Sequence, residues 1–221
     1  MRAFVLGATG ATGRDLVEQL LADARYERVE VAVRRPLGVK HPKLRVHLVD
    51  FEQPAAWSAA VQGDVLFLCM GTTLKAAGSE AAQRRVDVDY PLAAARAAAD
   101  NGVPMCVLVS AAMADAQSRW FYPRIKGELE EALRALPFRR LAIARPPVLD
   151  RPVLDRPGSD RMGERIWVKV VQVFNTLGLL RGQRPMPTAA LAQALRRMAA
   201  DELTGVYEGL DLWALTDEGS R

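Results

Sequence analysis

Tyr122-Pro-Arg-Ile-Lys126 places a phenol and an ammonium four residues apart, on one side of a helix. An ammonium beside a phenol favours the phenolate and lowers the tyrosine pKa toward neutrality, which suits proton exchange with a substrate oxygen. The same spacing also arises by chance as an ordinary surface pair. Two other features keep it company. Ser110 closes an apolar stretch twelve residues before Tyr122, and Gly7, Gly10 and Gly13 recur at three-residue intervals near the start of the chain. Between a strand and a helix, a glycine turn aims backbone N–H groups and the positive helix end at one spot, which suits a pyrophosphate. Glycine there permits φ > 0 and a close approach of phosphate to backbone. The spacing is GxxGxxG, not GxGxxG, and small turns are common after strands, so the turn alone is also readable as a plain connection. The ordered set of glycine turn, serine, tyrosine and lysine is far more specific than any part.

Other candidates fall at the ends of apolar stretches. The second stretch ends Val31-Ala32-Val33-Arg34-Arg35, with no acid where an NAD site holds the ribose 2′-hydroxyl. Arg34 and Arg35, with Arg14 nearby, would instead accommodate the 2′-phosphate of NADP; the alternative is a solvated turn. Asp50 and Phe51 end the third stretch and could hold an adenine edge and face, or simply mark a strand-to-loop transition. Gly71 and Thr72 lie where the fourth stretch would deliver the cofactor across a sheet's carboxyl edge.

These residues need a scaffold that brings strand ends together. Residues 2–6 read as a buried strand, followed by an amphipathic helix with Val17, Leu20, Leu21 and Ala24 on one face. Further strands are expected over 28–33, 44–49, 64–70, 105–109 and 140–144, rich in Val and Leu without strict alternation, as parallel strands covered on both faces require. Helices are expected near 54–61, across 81–101 with Pro91 kinking or splitting it, and over about 120–136. The handedness of crossovers then leaves an α/β doubly wound parallel sheet, the Rossmann fold, in the order 3-2-1-4-5-6. From Arg145 the pattern changes to Arg-Pro echoes at 145, 151 and 156. An amphipathic stretch over 166–180 would pack on the sheet, roof a pocket, or lie on a membrane surface. A helix at 189–200 and a short strand at 205–208 follow. No linker demands a second domain, so residues 1–221 read as a single NAD(P)-binding unit with 146–185 as a small substrate-side segment.

Composition narrows the classes further. Half of the 221 residues are apolar and 25% are charged, enough for a large core. The net charge of +4 comes mostly from scattered arginines, whereas a nucleic-acid binder would cluster them with exposed aromatics. Cys69 and Cys106 sit at opposite ends of separate strands, an offset beyond disulfide reach if those strands are parallel neighbours. With only His41 and His47, a metal site has little support. No apolar run reaches the ~18–20 residues of a membrane span, and no signal peptide is visible, so a cytoplasmic protein is expected.

In the order of Gly7, Gly10, Gly13, Ser110, Tyr122 and Lys126, the chain resembles the short-chain dehydrogenase/reductases. More narrowly, it is similar to atypical members of that group, the Tat-interactive-protein-like NAD(P)-binding oxidoreductases. That narrower likeness rests on the stretch 68–78, on Val86-Asp-Val-Asp-Tyr90, on Tyr122 to Lys126 with Gly127-Glu128, on Arg145-Pro146 and on Arg161-Met-Gly-Glu164. It runs from the N-terminus to about Ala200.

The resemblance implies NADP as cofactor. Gly7, Thr9, Gly10, Ala11, Thr12 and Gly13 would line the pyrophosphate, and Arg34 and Arg35 the 2′-phosphate. Asp50 and Phe51 would flank adenine, Gly71 and Thr72 would contact the ribose side, and Lys126 would bind the nicotinamide ribose. Residues just after Pro146 would touch the nicotinamide. The implied reaction is hydride transfer between NADPH and a small carbonyl substrate: Tyr122 donates the proton, Ser110 holds the carbonyl oxygen and Lys126 depresses the tyrosine pKa. Two departures stand out. Ala111-Ala112 follow Ser110 where relatives often carry another serine, and the Arg-Pro echoes at 145–157 look longer than the relatives' loop. The alternative is a non-catalytic NADPH-binding regulator acting through a protein partner. The intact Ser–Tyr–Lys set favours catalysis; the short C-terminal part favours the regulator.

Overall fold

Four apolar runs, Arg2–Leu6 (β1), Arg28–Val33 (β2), Val65–Leu68 (β4) and Met105–Val109 (β5), are buried along nearly their whole length. Strands sheltered on both faces lose the in–out alternation of a one-sided sheet and belong in the middle of a parallel one. The computed structural model describes residues 1–150 and 184–217. Leu44–Leu48 (β3) is the less buried edge strand, and Arg140–Arg145 (β6) lies on the other side. The sheet runs β3-β2-β1-β4-β5-β6, all parallel, and Gly205–Glu208 (β9) adds a parallel seventh strand against β6. Leu149–Asp150 (β7) and Met186–Pro187 (β8) form a separate parallel ladder. Strand order reverses at β1, flanked by β2 and β4, and that reversal opens the crevice where doubly wound sheets bind ligands.

Ala11–Ala22 (α1) and Thr188–Ala200 (α6) cover one face, burying Leu16, Leu20, Leu191 and Leu195 against Val5 and Val31. Their packing is tied by polar contacts: Thr188 Oγ1 donates to Asp15 Oδ2 at 2.6 Å and Gln19 Nε2 to the Ala189 carbonyl at 2.9 Å. Tyr90–Asp100 (α4) and Phe121–Arg134 (α5) cover the other face, where Ala94, Ala98, Ile125 and Leu129 meet Leu66 and Leu68. A last short helix, Gly209–Trp213 (α7), follows β9.

The expected helix over 81–101 is three pieces. Glu80–Arg84 (α3) passes into a wide π-helical turn, Arg85–Asp89, before α4 begins. Pro91 is the second residue of α4, directly after the π turn, so the donor it lacks falls where the helix widens and the long helix is interrupted there. The region 54–61 holds two single 3-10 turns, Pro54–Ala56 and Ser58–Ala60, not a helix. Leu74–Ala77 (α2) is a four-residue helix that periodicity is too short to reveal; Thr73 caps it by accepting the Ala76 N–H. The stretch 166–180 and the echoes at 151 and 156 lie outside the described residues. Cys106 sits opposite Leu66 in the β4–β5 register, three residues away from Cys69, and both thiols are free. Among the described residues, no helix is long and apolar enough to cross a membrane and no His/Cys/Asp/Glu group could hold a metal ion.

Candidate functional site

Between β1 and α1 only residues 7–10 remain to turn the chain, and glycine makes that possible. Gly7 has φ +92°, and a Cβ there would lie 2.6 Å from the Cys69 carbonyl carbon. A Cβ on Gly13 would lie 2.1 Å from the Gly7 carbonyl oxygen. Both glycines are therefore demanded by the meeting of β1, α1 and the end of β4. Gly10 is less constrained: its N–H donates to the Gly7 carbonyl at 2.9 Å, and its Cβ would meet that oxygen at a tight 3.3 Å. Gly10 is the N-cap of α1, with no side-chain cap and no acid in the first turn. Thr9 is exposed, Ala11 half-buried and Thr12 buried. An uncapped helix N-terminus without acidic groups, entered through a glycine turn, fits a pyrophosphate.

The adenine side is only partly as expected. Arg34 and Arg35 are exposed just past β2, and Arg14 is exposed at the start of α1. Asp50 is exposed; its carboxylate accepts the Glu52 N–H at 3.0 Å and Gln53 Nε2 at 3.1 Å. Phe51 follows it in the turn after β3. Its ring is buried, stacked on Tyr90 at 5.3 Å and edge-on to Trp57 at 5.8 Å, so it serves the core. The cause is the short 3-10 segment, which tucks Trp57 inward with its Nε1 donating to the Asp50 carbonyl at 3.0 Å.

At the end of β4, the Thr72 N–H donates to Asp87 Oδ2 at 2.9 Å, and Gln83 Nε2 donates to the Thr72 carbonyl at 3.2 Å. Gly71 is exposed beside them. Asp87 stands on the π turn, fully buried, with Oδ1 3.6 Å from Lys126 Nζ. Lys126 is 2% exposed and donates to the Val109 carbonyl at 3.3 Å. Burial pushes the Lys126 ammonium down and the Asp87 carboxyl up, and their attraction opposes both shifts. Tyr122 is 41% exposed, one turn earlier on α5. A Cβ on Gly127 would lie 2.1 Å from the Ala116 nitrogen, so α5 presses directly on the 115–116 loop and is held in place there. The candidate pair thus has one open member and one buried member.

Ser110 lies buried just past the end of β5. Its hydroxyl donates to Glu130 Oε1 at 2.6 Å in a buried contact. A hydroxyl has a single proton to give, and in this arrangement it goes to Glu130. Glu130 also accepts Arg145 Nε and Nη2, at 2.9 and 2.7 Å, and Arg134 Nη2 at 3.0 Å. Burial opposes its charge, but Arg145, Ser110 and Arg134 together hold the carboxyl below its ordinary value. Ala111 and Ala112 offer no replacement hydroxyl. Ser110→Ala is accordingly expected to cost about 2 kcal/mol, typical of a hydrogen bond to a charged group, and to lower Tm by about 4–8 °C. Nucleotide affinity should stay at the wild-type value. Thermal unfolding and titration calorimetry decide it: intact stability with weakened nucleotide binding would return Ser110 to the cofactor site. Asp87, Gln83, Tyr90 and Glu130 are not among the expected site residues. Asp87 and Tyr90 stood inside a noted motif, but only the π turn shows which way Asp87 points.

Residues 7–140 match the NAD(P)H-binding family. The rat protein HTATIP2 is 38% identical over 150 residues, 66% of this chain and 62% of its own length. Protein FMP52 of Eremothecium gossypii is 37% identical over 151 residues, 67% of this chain and 66% of its own. This chain therefore spans about two thirds of the length of the curated relatives it matches. UDP-N-acetylglucosamine 4-epimerase from Methanobrevibacter ruminantium M1 superposes with a TM-score of 0.69 at 14% identity, covering 93% of this chain and 75% of the epimerase, a likeness of fold. Several fungal FMP52 relatives carry the name mitochondrial, which overturns the expectation of a cytoplasmic protein. A glycine turn opening a parallel sheet, a buried lysine one helical turn from an open tyrosine, and these matches agree. The chain belongs to the NAD(P)H-binding family, with a Rossmann-like fold and with HTATIP2 and FMP52 among its relatives.

Proposed function

We propose that this protein is an NADPH-dependent reductase of a small carbonyl compound. The carrying observation is the pairing of exposed Tyr122 with buried Lys126 near the carboxyl edge of the sheet that holds the glycine turn. When bound, a nicotinamide cofactor would supply the hydride. Tyr122 would give its phenolic proton to the substrate oxygen as alkoxide character develops, and Lys126, fixed on the Val109 carbonyl and facing Asp87, would keep one donor for the ribose. Gly7, Thr9, Gly10, Ala11, Thr12 and Gly13 hold the pyrophosphate; Gly71 and Thr72 border the ribose. Asp50 is the reachable acid for adenine. Glu130, gripping Arg145, steadies the Arg145-Pro146 turn beside the nicotinamide. With Ser110 bonded to Glu130, the Tyr122 hydroxyl is left to orient the carbonyl oxygen among these described candidates.

The cofactor preference rests on Arg34, Arg35 and Arg14. A charge-assisted hydrogen bond contributes about 1.5–3 kcal/mol, and each 1.4 kcal/mol is roughly tenfold in affinity. These arginines are exposed and screened by salt, so the lower end applies: NADPH should bind about tenfold more tightly than NADH. Arg34→Asp should narrow or reverse that ratio. Calorimetric titration of both nucleotides at one salt concentration tests it, and equal wild-type affinities would reduce the arginines to a solvated turn.

The second reading, an NADPH-binding regulator acting on a protein partner, is favoured by one observation. Ser110 is committed to Glu130, which leaves the serine–tyrosine–lysine set incomplete. A broad aldehyde, ketone and quinone screen that yields no turnover, with NADPH binding intact, would favour it.

A further inference from the structure

We infer that Gln83 is a positioning residue of the nucleotide site: with Asp87 it grips the Thr72 backbone at both its polar groups and fixes the Gly71–Thr72 edge where a ribose and a pyrophosphate would lie. This rests on the cofactor placement in the reductase reading and not on turnover.

The chain leaves β4 on a long excursion with little to hold it. Between Leu68 and Gln83 no residue is buried, and the two helices on the way, α2 and α3, are four and five residues long. Helices that short are unstable in water unless something else seats them. Gln83 is the first side chain to return to the interior, where it is 3% exposed. A leucine would bury there without penalty, whereas a buried carboxamide gives up water and must find a partner. Its partner is the root of the excursion: Gln83 Nε2 donates to the Thr72 carbonyl at 3.2 Å, eleven residues back. A carbonyl only accepts, so the amide nitrogen, and not its oxygen, faces it. From the π turn, Asp87 Oδ2 accepts the Thr72 N–H at 2.9 Å. The N–H and C=O of one residue belong to successive peptide groups, so holding both fixes the backbone orientation of Thr72.

The place of this edge gives the grip its use. On one side, a Cβ on Gly7 would lie 2.6 Å from the Cys69 carbonyl carbon, so the end of β4 abuts the glycine turn. On the other, a Cβ on Gly71 would lie 3.3 Å from Asp87 Oδ1, the oxygen that stands 3.6 Å from Lys126 Nζ. The edge therefore runs from the glycine turn toward Lys126, between the positions proposed for the pyrophosphate and the nicotinamide ribose. An edge fixed before binding spares the nucleotide the entropy of ordering it. The adenine end, toward Arg34 and Asp50, falls on the β2–β3 side of β1 and does not depend on this grip.

Gln83→Met keeps the side chain's length and removes its donor. Calorimetric titration of the full chain uses NADPH and adenosine 2′,5′-bisphosphate, which carries the adenine end and lacks the nicotinamide ribose. NADPH affinity should fall about tenfold, the upper worth of one hydrogen bond, and bisphosphate affinity should change by less than about twofold. A merely structural role would lower Tm and leave the ratio of the two affinities where it was. Equal loss of both affinities, or loss of neither, overturns the assignment. If Gln83→Met fails to fold, hydrogen exchange on the wild-type chain decides. The Thr72 N–H should be protected without nucleotide, and protection that appears only with NADPH overturns the grip. A wild type that binds no dinucleotide removes the cofactor placement and this assignment together. NADPH binding that Gln83→Met leaves unchanged removes this assignment alone.

Discussion

Tyr122→Phe should lower carbonyl turnover by about 10²–10⁴, the usual worth of a positioned general acid, with NADPH affinity nearly unchanged. The reason is geometric. Tyr122 is the exposed member of the pair, so losing its hydroxyl removes the proton without disturbing the core, while Lys126 keeps its Val109 contact. The effect should fall on kcat, since the proton is needed as the alkoxide forms and not for nucleotide binding. Single-turnover oxidation of bound NADPH, followed by absorbance, measures it directly. Turnover at the wild-type rate in this variant would sink the assignment of Tyr122.

Gly13→Ala should unfold the nucleotide site from within. The added methyl would sit 2.1 Å from the Gly7 carbonyl oxygen, and that neighbour is backbone, with no rotamer to give way. Either α1 or the turn must shift. Overpacking commonly costs about 1–3 kcal/mol, and a backbone clash belongs at or above the upper figure, so Tm should drop by about 6–12 °C. A displacement of this order at a positioning element can cost about 100-fold in function, and NADPH affinity should fall at least that far. Gly10→Ala is the control. Its Cβ would meet the same oxygen at a tight 3.3 Å, so its loss of stability should be clearly smaller than that of Gly13→Ala. Melting curves followed by circular dichroism, paired with calorimetry, separate the two; a Gly13→Ala protein with wild-type Tm would mean that α1 is not held as described.

The alternation of apolar runs and helical stretches was enough to reveal the sheet order, because a parallel sheet needs continuous burial and right-handed crossovers allow few alternatives. Strand β2, Arg28–Val33, agrees to the residue for that reason. The glycine turn was legible too, since its spacing reports a backbone constraint. Side-chain direction was not. Ser110 and Phe51 have suitable types at suitable places, yet one gives its proton to Glu130, twenty residues on, and the other stacks on Tyr90. Those outcomes depend on partners distant in sequence. The π turn was hidden for another reason: one extra residue per turn shifts the apolar period by less than a five-residue window can show.

The packing of α6 on α1 also bears on how the chain is made. Thr188 reaches back 173 residues to Asp15, and Leu191 and Leu195 complete the apolar cluster that shelters Leu16 and Leu20. During synthesis, α1 leaves the ribosome long before α6 exists. At about 5–20 residues per second, the helix that follows the glycine turn waits roughly 10–40 s with one side bare. Contacts so distant in sequence also slow folding, because their loop must close before they are rewarded. A nascent chain therefore passes through a sticky stage, and chaperone capture should concentrate on α1 until residues 188–200 emerge.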